Sequence, residues 1–174
     1  ADPQSADIPA AVFDTRKRDT LDWIGCAVGG AADRSSQPIK AVADVLGGNS
    51  QATSIDCGRR NVVLAAMSNA YFGHILEMDD VDRDSISHPA TPNLAAAFAA
   101  AEFAGKQGKD VLLAAVCGFE IMLRIGAAIT PAHYKIFHTT ATTGVFGAAM
   151  AAGKLLDLDA IQLNWAIGNA GSKS

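Results

Sequence analysis

Two histidines set about fifty residues apart carry most of the chemistry this sequence offers. His88 ends the polar run Asp79-Asp-Val-Asp-Arg-Asp-Ser-Ile-Ser, and His138 stands just before Thr139 and Thr140 at the head of an apolar helical pattern. With the acidic stretch Glu77-Met-Asp79-Asp80 they offer groups able to bind a carboxylate and move its proton, because imidazole titrates near neutrality.

The helix that Thr139 and Thr140 would open presents unpaired N–H groups and a positive dipole end, a place for an anion. The plainer alternative for His138 is that it packs against or caps that turn. Pro89 holds His88 extended and so limits where its ring can point. For Glu77, Asp79, Asp80, Asp82 and Asp84 three readings stand: a metal site, a shell that orients histidine, or a solvated loop, the last being favoured. No glycine lies between Asp79 and His88, which argues against a calcium loop. His74 falls on an apolar helix face, where a hydrogen-bonded core histidine is expected. Glu120 and Arg124, four apart, should form an i,i+4 pair.

The elements that must position these groups are helical. From Thr15 the apolar spacing predicts a helix ending at Gly29-Gly30, after an extended lead-in over residues 1–12. A second helix follows Ser35-Ser36, with Pro38 in its first turn, and runs to Gly47-Gly48. Residues 51–57 are read as a loop. A long helical pattern covers Arg60 to Met78, and Pro89 and Pro92 restart the chain into an alanine-rich helix closed by Gly105. Asp110 is expected to cap the next helix, which Pro131 ends. Two more cover Thr140 to Leu156, whose small residues suit a central helix, and Asp159 to about Ala170. The sum is an all-α bundle of about seven helices in one domain, 1–174.

Composition bounds the rest. Hydrophobic residues are 49% and charged residues 18% of 174, enough for a packed core burying roughly 70% of the unfolded surface. A net charge of -4 argues against nucleic acid as a partner. The basic run Arg16-Lys-Arg18 is expected to be a solvated face. Three scattered cysteines suggest neither a disulfide framework nor a zinc site, and point to a reducing, cytoplasmic setting. No uninterrupted apolar run of about 18 residues predicts a membrane span, and the first ten residues lack the order of a signal peptide. The Gly144–Gly147 piece lacks the setting of a nucleotide loop.

At several of these residues the sequence resembles the MmgE/PrpD family, which includes 2-methylcitrate dehydratase, cis-aconitate decarboxylase and iminodisuccinate epimerase. The matching pieces are His74-x-x-Glu77-x-Asp79-Asp80, His88-Pro89, Gly118-Phe-Glu-x-x-x-Arg-Ile-Gly126, Phe137-His138 leading into Ala141-Thr-x-Gly-Val-Phe-Gly-Ala148, Lys154-Leu-Leu156 and Ala166-Ile-Gly-Asn-Ala-Gly171. The chain departs from the family pattern at Glu77, where Asp is usual, at Thr139 for Pro, at Thr143 for Leu and at Asp157 for Gly.

The resemblance implies the first part of a large helical domain that is joined, in the family, to a smaller lid. It implies His88 and His138 as active-site histidines and Asp79 or Asp80 as a nearby acid that holds an imidazole. Glu77, Thr139 and Thr140 are the candidate substrate contacts. The activity implied is a cofactor-independent lyase acting on a small di- or tricarboxylate without metal, of the dehydratase type, with decarboxylase or epimerase as alternatives. A non-catalytic helical module is the reading from a different class. A homodimer, or a companion chain supplying the rest of the fold, is the expected assembly.

Overall fold

The computed structural model describes residues 8–55 and 58–174. Among them are seven α-helices: α1 Ala10–Ala32, α2 Gln37–Leu46, α3 Val62–His74, α4 Ala90–Ala104, α5 Gly108–Ile129, α6 Thr139–Leu155 and α7 Ala160–Gly171. Two strands, β1 Ala52–Ser54 and β2 Gly58–Arg60, form a small antiparallel ribbon in which Thr53 faces Arg59. The architecture is the expected all-α bundle.

Several boundaries differ from the sequence reading, each for a local reason. α1 already starts at Ala10, so the extended lead-in fails there; its residues 1–7 lie outside the described part. α1 also passes through Gly29-Gly30, because a side chain at Gly30 would collide with the Phe72 carbonyl. That glycine permits close helix approach instead of ending the helix. The segment read as a loop contains β1, whose pairing with β2 is steadied by Asn69: its Oδ1 accepts from Ile55 N–H and its Nδ2 donates to the Thr53 carbonyl. Residues 56 and 57 of that segment lie outside the described part.

α3 starts after Asn61, whose side chain accepts from Leu64 N–H, and ends at His74 rather than Met78. Glu77 follows in a left-handed conformation, φ 51°, incompatible with a continuing helix. Gln107, not Asp110, caps α5; the Asp110 carboxylate accepts from Gln107 N–H three residues back, completing a capping box. Asp159 caps α7 as expected.

The core lies between α1, α3, α4, α5 and α6. Trp23, Phe72, Leu94, Met122 and Leu155 are fully buried there, each worth about 1.5–3 kcal/mol relative to exposure. α4 buries Ala95, Ala97, Ala99, Ala100 and Ala101, so its neighbours can approach without intervening bulk. α6 packs on α4, α5 and α7, the central position expected of its small residues. α5 has the length and apolarity of a bilayer-crossing helix, but Val111, Ala114, Ala115, Phe119 and Met122 are buried inside the bundle and Glu120 pairs with Arg124 on its outer side.

The basic run of α1 is only partly solvated. Lys17 and Arg18 are exposed, but Arg16 turns inward, its guanidinium 3.8 Å from the Phe119 ring centre and 2.7 Å from Asp19. Its position on α1 faces α5, where a stem and planar cation fill space that Lys17 cannot reach.

Candidate active site

Three segments meet at one end of the bundle: the C-terminus of α3, the loop 75–89 into α4, and the N-terminus of α6. The loop is fixed by its own polar groups. Asp82 and Ser87 exchange backbone hydrogen bonds, and the Asp82 carboxylate accepts from both the amide and hydroxyl of Ser85. Ala90 N–H donates to Asp80 Oδ1 at 2.8 Å, tying the loop to the start of α4. His88 N–H donates to Thr140 Oγ1 at 2.9 Å, tying it to the start of α6.

This folding brings three imidazoles together. The His88 and His138 ring centres are 6.4 Å apart and nearly parallel. His74 lies between them, 4.7 Å from His88 and 5.9 Å from His138. His74 is hydrogen-bonded as its apolar helix face suggested, to Asp79, but it is half-buried in this cluster of rings and not enclosed in the core. The signal that could have found it is its place at the end of α3, three residues before Glu77 and five before Asp79.

Asp79 organises the cluster. Its side chain is fully buried, with Oδ1 3.0 Å from His74 Nδ1 and 3.3 Å from His88 Nδ1, while Oδ2 accepts from the Thr91 hydroxyl at 2.7 Å. The His88 contact is a close approach of ring and carboxylate, not an aligned hydrogen bond. Burial pushes the Asp79 carboxyl up, but the hydrogen bonds from His74 and Thr91 and the imidazole charges outweigh it and hold it below the usual carboxylate range. The hydrogen bond to Asp79 correspondingly raises His74, against the opposing effect of burial.

Asp80 behaves differently. Burial and the neighbouring Asp79 and Asp19 charges, only partly countered by Ala90 N–H and Arg16, push it up to about 7. The solvated-loop reading thus fails at its first two aspartates: Asp79 is sealed and Asp80 is half-buried. Both face the bundle because the chain turns sharply at Glu77.

Of the candidate substrate contacts, Glu77 is exposed, with Oε1 3.4 Å from His74 Nε2 and Oε2 3.9 Å from His88 Nε2. Thr140 is buried and spends its hydroxyl on the His88 amide. Thr139 is fully buried, its hydroxyl turned away from solvent. The N-cap of α6 is His138 itself, through its backbone; its ring makes no capping hydrogen bond and is left exposed, 6.1 Å from Tyr134. The alternative of a packed or capping side chain is not what the geometry shows.

An all-α domain in which a sealed carboxylate backs the half-buried rings of His74 and His88, beside the exposed ring of His138, is the class of protein that fold and site define. The chain belongs to the MmgE/PrpD family: the model of the MmgE/PrpD N-terminal domain matches residues 1–174. Among its relatives, cis-aconitate decarboxylase of Aspergillus terreus is 36% identical over 172 residues, covering 94% of this chain and 35% of that protein. The cis-aconitate decarboxylase-like protein oryM of Aspergillus oryzae is 35% identical over 176 residues, covering 95% of this chain and 36% of that protein. The chain thus spans about a third of the length of these relatives.

Proposed function

We propose that this domain forms the histidine-bearing part of a cofactor-independent lyase for a small tricarboxylate. The observation that carries the reading is the pairing of buried Asp79 with His74 and His88 beside the exposed ring of His138. Asp79 positions the imidazoles and favours the cationic form of His74; it is not exposed to substrate. An imidazolium attracts a carboxylate and can deliver a proton to carbon. His88 and His138 are the proposed catalytic residues, His74 a partner of both, and Asp80 an anchor for the start of α4.

The relatives named above favour decarboxylation over the dehydration expected from sequence. In that reaction the bond between carbon and the departing carboxylate breaks, its electron pair stays on carbon in conjugation with the remaining unsaturated acid, and an imidazolium protonates that carbon as CO2 leaves. Dehydration would use the same groups in another order: an imidazole removes a proton next to a carboxylate and water departs from the adjacent carbon.

Product analysis separates the two. Given cis-aconitate, the protein carrying this domain should release one CO2 per turnover without added metal; 2-methylcitrate should be left unchanged. Replacing either His88 or His138 by Ala should lower kcat by about 100-fold or more, the usual contribution of a positioned acid or base. Full turnover in the His88→Ala, His138→Ala double variant would overturn the assignment.

A further inference from the structure

We infer that His74 Nε2, His88 Nε2 and the Glu77 carboxylate together form a binding site for a divalent transition cation of the zinc class. Ligand atoms from these three residues all lie within 4.8 Å of one another. The Glu77 carboxylate spans both rings, 3.4 Å from His74 Nε2 and 3.9 Å from His88 Nε2. Tetrahedral zinc with bonds of about 2.0–2.1 Å needs ligand atoms about 3.3 Å apart, so small side-chain rotations bring the set to bonding geometry.

The surroundings match the chemistry of such a site as well as its spacing. Both rings turn Nδ1 toward one oxygen of Asp79 and leave Nε2 outward. Metal-binding histidines commonly give their second nitrogen to a carboxylate, which fixes the tautomer and strengthens the donor; His74 does so through its hydrogen bond to Asp79, and His88 Nδ1 faces the same oxygen at 3.3 Å. Two imidazoles and a carboxylate suit borderline cations such as Zn2+ or Co2+, unlike the all-oxygen shell of calcium that the sequence argued against. Glu77 adopts φ 51°, and strained backbone at a non-glycine residue concentrates at functional positions. The exposed His138 ring, 5.9 Å from His74 and 6.4 Å from His88, stands where it can join the shell or where the cation's open position would meet solvent.

A cation held by Nε2 of His74 and His88 withdraws these nitrogens from proton transfer. The site therefore makes the protein sensitive to transition metals, with occupancy opposing turnover.

Titration of the metal-free protein with Co2+ alone, without substrate, tests this through the visible absorption of tetrahedral cobalt. One equivalent should produce the bands. His74→Ala and Glu77→Gln should each abolish them or weaken binding at least about 10-fold, and Asp79→Asn should weaken it about 10–100-fold, the usual cost of losing such a carboxylate. His138→Ala should keep the site, and far-UV circular dichroism should show every variant helical. Absent bands at saturating Co2+, or unchanged bands in folded His74→Ala, would overturn the proposal. Its failure is distinct from failure of the lyase reading, which is decided by turnover of the chelator-treated protein.

Discussion

At the residue scale, Asp79 and Asp80 adjoin in sequence yet have opposite electrostatics. Asp79 is held ionised by His74 and Thr91; Asp80 is pushed up to about 7 by burial. Asp79→Asn should cost about 2 kcal/mol of stability, a typical loss for a hydrogen bond to a charged group, and should return His74 toward its ordinary range in an NMR pH titration. The pH window follows from the signs. The raised His74 stabilises the fold below the unfolded imidazole value of about 6.5, and loses that contribution as pH climbs through its folded value. The lowered Asp79 contributes above the unfolded carboxyl value and fails as pH falls through its folded one. Asp80 works in the other sense: its raised value favours the fold at low pH, and the advantage is lost between about pH 4 and 7 as the unfolded chain ionises first. Asp80→Asn should therefore raise Tm more at pH 8 than at pH 5, measured by calorimetry. Sequence showed His88 and His138 because both adjoin helix-start signals. The motif His74-x-x-Glu77-x-Asp79-Asp80 contained His74, but periodicity did not reveal its part, because it describes a helix face and not what its last residue meets in space; the burial of Asp79 was missed because it depends on a turn with no glycine to announce it.

At the element scale, helix spacing sets the site. A Cβ at Gly118 on α5 would run into Asn93 Oδ1 and the carbonyl of Gly147 on α6. Gly118→Ala should accordingly destabilise by about 1–3 kcal/mol, the range for overpacking, seen as a lower urea midpoint with an unchanged m-value. Helix number and order were readable from periodicity, caps and prolines. Boundaries were less so wherever a glycine served approach and not termination, as at Gly30, or where a cap was shared between two residues, as at Gln107 and Asp110. The β1–β2 ribbon escaped because three-residue strands carry too little alternation, and Asn69 on the following helix α3 supplies what the strands themselves lack.

At the scale of the whole molecule, apolar surface is unevenly placed. Trp165 and Ile161 on α7 are 69% and 63% exposed, and α7 buries no residue fully. Beside it a groove of about 620 Å³ is lined by Cys117, Ile121, Ile125, Met150, Leu158 and Leu163, among others. Exposed apolar surface of this kind suits contact with another body, here expected to be a second copy of the chain. Sedimentation velocity should show the chain associating as concentration rises, and Ile161→Glu with Trp165→Glu should shift it toward monomer; a monomer throughout would argue against a second copy as the expected partner.

The contact between the Thr140 hydroxyl and the His88 amide joins positions 52 residues apart. It makes the loop and the head of α6 a single lever: whatever tilts one carries the other along. Thr140→Val keeps the shape but cuts the link, so the two imidazoles should wander independently. Turnover should then drop about 10- to 100-fold, the scale for ångström-level misplacement, with the helical content by circular dichroism unchanged.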